Sequence, residues 1–335
     1  MKAVFDGTSV RCGGDGQALY EQGGFGRREK EGLRLAPQEA LYLLHRGKIE
    51  IEGYDFDRLL AVFAEQTNVL RSYLVYRDIR ERGYAVQTGP HDFRIFRRGQ
   101  RPGKGESIYL VRVVSERDPI QFTGLIHEVT TAHNMRKQYV LAVVDDEDEL
   151  TYYEIKLQAL PDVTPTPHYP SVTGEPAGKS MMVKIPPGSV FEQTWFGSRL
   201  DEARLLFSPL ETFYLVSEGV LSITSDGKGA SADDIFSRAL ESDCEFPHKA
   251  TVYTDLRRKG YVPKTGYKFG HHFRVYSGGK VHSEMLVHAV ETGAGLPMIT
   301  ISRSVRLAHS VKKKMLFGCV YTSGIQYVEF ARIKL

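Results

Sequence analysis

Tyr276, His282 and Lys313 are residue types that together can cut an RNA phosphodiester by acid and base alone. One group takes the proton from a ribose 2′-hydroxyl, and a second protonates the departing 5′-oxygen. A fixed cation then stabilises the charge that gathers on the phosphorane. Histidine suits the acid because it titrates near neutrality. A free tyrosine, at about 10, is a poor base unless nearby positive charge favours its anion. Each residue alone has a plainer reading. A strand-end tyrosine most often packs its ring and wets its hydroxyl. A lone histidine is more often exposed or in a core, and His271, His272, His288 and His309 compete for any histidine role. The run Lys312-Lys313-Lys314 also suits a solvated helix end, where the macrodipole favours cations.

The elements that must position these residues occur twice. Residues 75–84 match 252–261, and Gln87-Thr88-Gly89 matches Lys264-Thr265-Gly266, at an offset of 177. Upstream, Glu21-Gln22 and Phe25-Gly26 match Glu192-Gln193 and Phe196-Gly197 at 171, and Pro37, Glu39 and Tyr42-Leu43 match Pro209, Glu211 and Tyr214-Leu215 at 172. Downstream, His133 and Arg136-Lys137 match His309 and Lys312-Lys313 at 176. Landmarks in one order at a slowly drifting offset indicate a tandem duplication with loop insertions and deletions.

Each copy divides again. The front part carries a helix that opens at Ser208-Pro209-Leu210-Glu211, a capping box with proline at the first helical position. The back part opens with an amphipathic helix over about 249–259, closed by Gly260. Strands follow near 261–265, 272–276 and 284–290, then a helix near 301–312, then strands near 315–321 and 326–333. Helix, three strands, helix and strand make a mixed α/β (α+β) unit. The expected organisation is 1–65, 66–158, a Pro-rich stiff linker at 159–180, 181–243 and 244–335.

Bulk properties narrow the class. With 335 residues, 41% apolar and 11% aromatic, the chain has material for several cores. A formal charge of +3 excludes a basic field over the whole surface, so a nucleic-acid site must be a local patch. Cys12, Cys244 and Cys319 have no paired or metal-binding spacing, which points to a reducing compartment with no disulfide framework or zinc. The first residues lack an apolar signal segment, and no window nears the roughly 18 apolar residues of a membrane helix. A soluble cytoplasmic protein is expected.

Duplication supplies an internal control, because residues needed only for folding should persist in both copies. Phe273-Arg274-Val275-Tyr276 corresponds to Phe93-Arg94-Ile95-Phe96, which keeps the ring and loses the hydroxyl. The stretch 281–287, with His282, corresponds to 105–111, with Glu106 at the histidine position. Lys313 has Lys137 as its counterpart. Only the second copy holds all three groups.

The ordered set Phe-Arg-Val-Tyr at 273–276, His282-Ser283-Glu284 and 306–313 resembles the catalytic core of the tRNA-splicing endonucleases. The front part, from Ala18 through Phe25-Gly26 to 39–44, resembles that family's N-terminal domain. The resemblance implies a restriction-endonuclease-like αβββαβ domain in each copy. It also implies Tyr276 as general base, His282 as general acid and Lys313 as the transition-state cation. No metal or other cofactor is implied, and the products would end in a 2′,3′-cyclic phosphate and a 5′-hydroxyl. Tandem architecture is similar to the archaeal homodimeric class, which cuts bulge-helix-bulge motifs in precursor tRNA. On that likeness Arg306 and Arg332 would sandwich a bulged base, by stacking of planar guanidinium groups.

Asp145-Asp146-Glu147-Asp148-Glu149 lies between two apolar strands of the first copy, where the second copy reads Tyr321-Thr322-Ser323-Gly324. Five uncompensated negative charges beside an RNA surface would repel phosphate. The resemblance implies that they dock on the partner chain of a homodimer. Two other readings compete: an inactive RNA-binding or assembly subunit, and a metal-dependent nuclease. The last needs a carboxylate pair, and only Glu284 offers itself, on a strand.

Overall fold

The computed structural model describes all residues except 66, 67, 90, 164, 166, 226, 227, 278 and 292. It divides into two units. The first comprises 1–157, 295–303 and 330–335. Its front part is a five-stranded sheet in the order Arg27–Glu29, Gly32–Leu35, Val10–Cys12, Lys2–Phe5, Glu50–Ile51. Val10, Leu33 and Leu35 from these strands meet Leu41 of helix Pro37–His45 and Phe63 of helix Phe56–Ala64 in one core. The back part opens with helix Val69–Glu81, whose buried positions 69, 72, 73, 76 and 79 form one stripe. Its sheet runs Val86–Thr88, Phe93–Phe96, Ser107–Ser115, Gln138–Val144, Leu150–Gln158. The third and fourth of these are parallel, joined by helix Phe122–Asn134, while the other neighbours pair antiparallel.

The second unit comprises 158–294 and 304–329. Its front sheet has six strands, in the order Ser198–Arg199, Arg204–Phe207, Ser180–Lys184, Val172–Ala177, Leu221–Ser225, Lys228–Ala230. Val172–Ala177 lies inside the stretch expected to be linker, so regular structure resumes before 180. The Pro-rich part is also tied down. The Val163 N–H donates to the Lys259 carbonyl at 2.9 Å, and Tyr169 packs on Phe191 and Phe196. Thr164 and Thr166 of that stretch lie outside the described residues. Helix Pro209–Ser217 has the expected capping box: the Ser208 hydroxyl accepts from the Glu211 N–H, and Glu211 accepts from the Ser208 N–H at 2.9 Å.

The back part repeats the element order of the first copy. Helix Phe246–Arg258 begins three residues before the expected start, and Gly260 follows it at φ +81°. Strands Tyr261–Thr265, Phe273–Ser277 and Met285–Val290 are antiparallel neighbours, and Met285–Val290 then pairs parallel with Lys314–Tyr321 across helix Met298–Ser310. That helix ends at Ser310, so Lys312 and Lys313 stand in the turn beyond it, with Lys312 at φ +54°. Strand Gly324–Ile333 closes the element order.

One buried polar knot recurs in both copies. Glu39 accepts from the Gly26 and Ala36 N–H groups at 2.9 Å, and Glu211 accepts from Gly197 at 3.1 Å and Ser208. Arg80 lies 3.7 Å above the Phe25 ring and donates to the Gly23 carbonyl at 2.8 Å. Arg257 lies 3.9 Å above Phe196 and donates to the carbonyls of Thr194 and Trp195 at 2.9 and 3.4 Å. These groups tie each front part to the helix of its own back part, which explains why the matching motifs persist in both copies. The copies differ in the charge beside the carboxylate: Lys264 pairs with Glu211 at 2.8 Å, where the first copy has Gln87.

Candidate active site

The pleat of strand Phe273–Ser277 sorts its side chains. Phe273 and Val275 enter the core with Val252 and Leu256, so Arg274 and Tyr276 face the other side. Tyr276 is 9% exposed, and its ring centroid lies 4.9 Å from that of Trp195. Trp195, the one tryptophan in the chain, sits at φ +62° and is 38% exposed. Gly24 holds the matching turn of the first copy at φ +66°. A bulky residue in the left-handed region is strained, and such strain persists where the surroundings enforce it. Here Arg257 grips the carbonyls on both sides of the strained N–H. Trp195 carries no signature in the sequence, because its partner Tyr276 is far along the chain and left-handed backbone is normally signalled by glycine.

After Tyr276 the chain turns through 277–283 before strand Met285–Val290. Gly278 lies outside the described residues. Glu284 is not on the strand, as the sequence suggested, but just ahead of it, with its N–H donating to the Val275 carbonyl at 2.9 Å. Its carboxylate accepts from both the Ser277 hydroxyl and Lys280. The Lys280 hydrogen bond, then that of Ser277, holds the Glu284 carboxyl below the usual range. Glu284 thereby clasps the base of the loop that presents His282 and acts as a brace.

His282 is exposed on this loop and lines an open cleft of about 1620 Å³ with Lys280, His309, Lys312, Lys313 and Lys314. Lys313 is half-buried and donates to the Ser283 carbonyl at 2.6 Å. Lys314 contributes its N–H to the Glu284 carbonyl at 3.0 Å. The structure thus brings His282 and Lys313 into one cationic cleft. Tyr276 is not among the residues lining it, although the adjacent Ser277 is. Arg306 is exposed on helix Met298–Ser310, and Arg332 is exposed on strand Gly324–Ile333. Residues 158–161 and 163, from the junction between the copies, form another wall of the cleft.

The competing histidines separate cleanly. His309 shares the cleft. His271, His272 and His288 instead form a cluster, buried at His271 and half-buried at the other two, with His272 stacked on His288 at 4.1 Å and His271 edge-on to His288 at 5.8 Å. The Ala289 N–H donates to His272 Nδ1 at 3.0 Å, so that nitrogen carries no proton. Burial, with repulsion from His288, depresses His271 to about 4 and His272 to about 3. Such groups are neutral at pH 7. Among the described residues, no three of His, Cys, Asp and Glu are grouped to hold a metal ion.

In the first copy the equivalent positions hold a different arrangement. Lys137 lies 3.9 Å from Glu106, which replaces the histidine. The acidic run 145–149 forms the tip between strands Gln138–Val144 and Leu150–Gln158. Asp145 accepts from the Glu147 and Glu149 N–H groups at 3.0 and 2.9 Å, and Asp148 sits at φ +62°. The run is not wholly uncompensated: Arg117 pairs with Asp146. Arg117 precedes it by 29 residues, so the pairing had no local signature.

Comparison with known proteins accounts for both halves of each copy. The profile described as tRNA intron endonuclease, catalytic C-terminal domain, matches residues 69–152 and again 246–327. The profile described as tRNA intron endonuclease, N-terminal domain, matches 1–60 and 175–236. The chain is similar to a tRNA-splicing endonuclease of Methanococcoides burtonii, 38% identical with 95% of each chain covered. It is 39% identical to one of Methanosarcina acetivorans over the whole of both chains, and 35% identical to one of Natronomonas pharaonis with 97% of each covered. Four domain matches in alternating order and full-length likeness agree with the duplicated α/β fold: the chain belongs to the tRNA intron endonuclease family.

Proposed function

We propose that this chain is an endonuclease that excises introns from precursor tRNA, cutting both splice sites at bulge-helix-bulge motifs with the groups of its second copy. Tyr276 takes the 2′-hydroxyl proton as that oxygen attacks phosphorus. The bond from phosphorus to the 5′-oxygen breaks as His282 delivers a proton to it, leaving a 2′,3′-cyclic phosphate and a 5′-hydroxyl. Lys313 stabilises the extra negative charge of the phosphorane. The carrying observation is that Lys313 and His282 share one cleft and are linked through the Ser283 carbonyl, whereas the first copy has a Lys137–Glu106 pair. Arg306 and Arg332 are assigned to gripping a bulged base. Two chains would assemble as a homodimer, since one active copy per chain and two cuts per intron make two chains the economical arrangement.

The test is incubation of the protein with a bulge-helix-bulge precursor tRNA in excess EDTA, followed by end analysis. Cleavage to cyclic phosphate is expected. Binding without cleavage would instead favour an assembly subunit, and cleavage only with added metal a different nuclease. His282→Ala should lower the chemical step by about 10²- to 10⁴-fold with RNA affinity near that of the parent. Full activity in that variant removes His282 from the mechanism.

A further inference from the structure

The end of the first copy that corresponds to the catalytic cleft has kept its position and changed its charge. Between Phe96 and Ser107 the chain holds Arg97, Arg98, Arg101 and Lys104, while the matching stretch of the second copy, 277–282, holds Lys280 as its single lysine or arginine. The first-copy loop is also longer by four residues. Among the described residues, none of its four cations forms an ion pair with a carboxylate. Arg97, Arg98 and Lys104 are exposed. Arg98 lies over Tyr84 at 5.0 Å, and the loop is seated on the front part: Pro102 is buried, and a Cβ at Gly24 would lie 2.6 Å from it.

Topology places the other charges. Strands Ser107–Ser115 and Gln138–Val144 are parallel, with Tyr109 opposite Gln138 and Ser115 opposite Val144. Loop 97–106 and the turn with Arg136 and Lys137 therefore lie at one end of this sheet, and the acidic tip 145–149 lies at the other. Seven residues of strand separate the ends by about 20 Å, more than the roughly 8–10 Å Debye length at physiological salt. The acidic tip does not neutralise the basic end. Six cations gather there, and among the described residues the one ion pair any of them makes with a carboxylate is that of Lys137 with Glu106. A chain of net charge +3 that gathers so many unpaired cations in one place holds them against self-repulsion, as an anion-binding surface does.

We infer that this end of the first copy, centred on Arg97, Arg98, Arg101 and Lys104, binds the phosphate backbone of the RNA substrate. The loop that lost its acid and base has become a clamp. The inference rests on the proposed RNA substrate. An acidic protein surface, including that of a second copy, is the competing occupant.

The test uses the full chain and a precursor tRNA carrying a 2′-deoxyribose at both cut positions, so that binding is read without cleavage. Replacing Arg97, Arg98, Arg101 and Lys104 by Gln should weaken binding about 10- to 100-fold near 0.1 M salt. It should also reduce the slope of log Kd against log salt by about 3–4, since each of the four lost phosphate contacts removes about 0.7–0.9. The turnover of cleavable RNA at saturation should stay unchanged. A variant with the three arginines changed to Lys should keep the parental slope. An unchanged Kd and slope overturns the inference, as does a weakened dimer in sedimentation with RNA binding intact. If the Gln variant fails to fold, amine labelling of the parent replaces it: bound RNA should shield Lys104, and full reactivity overturns the inference. A parent that cleaves precursor tRNA while the Gln variant binds like the parent sinks only this inference. A parent that neither binds nor cleaves sinks the proposed function as well.

Discussion

Lys313 Nζ donates to the carbonyl oxygen of Ser283 at 2.6 Å, and Ser283 directly follows His282. One hydrogen bond therefore fixes the lysine relative to the loop that carries the histidine. Lys313→Ala should lower the cleavage rate constant by about 10²- to 10³-fold, the scale seen when a positioned charge-stabilising donor is removed. RNA affinity should change far less. Single-turnover cleavage with a parallel binding assay separates the two, and a loss confined to binding would assign Lys313 to substrate capture.

Trp195 is expected to fix the ring of Tyr276. Trp195→Gly installs the first-copy residue and relieves backbone strain worth about 1–3 kcal/mol while removing a ring packed at a tilt on Tyr276. Thermal stability should thus move little. The cleavage rate constant should fall at least about tenfold, because small misplacements of reacting groups are costly. Trp195→Phe should recover most of that rate. Equal rates in all three proteins would show that the ring contact is incidental.

Glu39 and Glu211 are counterparts with opposite electrostatics. Burial raises Glu39 above the usual carboxylate range, against the N–H groups of Ala36 and Gly26. Burial also acts on Glu211, but Lys264 outweighs it and the carboxyl ends below its usual range. The Glu211 contribution is present above the unfolded value of about 4.3 and is lost as pH falls through the lower folded one. That of Glu39 is present below about 4.3 and fades as pH rises. Glu211→Gln, which leaves Lys264 unpaired, should cost roughly 3 kcal/mol at pH 7, and Glu39→Gln about 1. Equal losses in urea titrations would contradict this account.

The clustered histidines predict acid lability well above the carboxylate range. His271 and His272 are held near 4 and 3, so protons bind the unfolded chain first. Stability is complete above about 6.5 and declines as pH falls from there toward 4. Glu245, 3.4 Å from His272 Nε2, softens the loss, while Lys249 repels the same proton. Between pH 7 and pH 5, His271→Phe should lose about 1–2 kcal/mol less stability than the parent. Parallel curves for the two proteins would remove His271 from the explanation.

Neutralising Asp145, Asp146, Glu147, Asp148 and Glu149 together should weaken dimerisation and cleavage in parallel, with the larger loss at low salt, where the charges are least screened. An unchanged dimer in sedimentation would assign the tip to another role.

Much of this was legible in the sequence because duplication turned one chain into a comparison. The Pro-capped front helix, the element order of the back part, and the candidate positions His282 and Lys313 followed from where the copies agree or part. What was hidden depends on contacts between distant segments. The grip of Arg257 on the Trp195 turn spans more than sixty positions, and a carbonyl ligand such as that of Ser283 leaves no mark on residue type. Glu284 looked like a possible metal ligand until its clasp on Ser277 and Lys280 was seen.

The junction between the copies forms part of the cleft wall, and its Val163 N–H is bonded to the Lys259 carbonyl. It is therefore more than a tether. A nick between Pro161 and Asp162 is expected to loosen the wall beside His282. The fusion of the two copies thus reaches the cleft of the second copy, beyond keeping equal numbers of each in the cell.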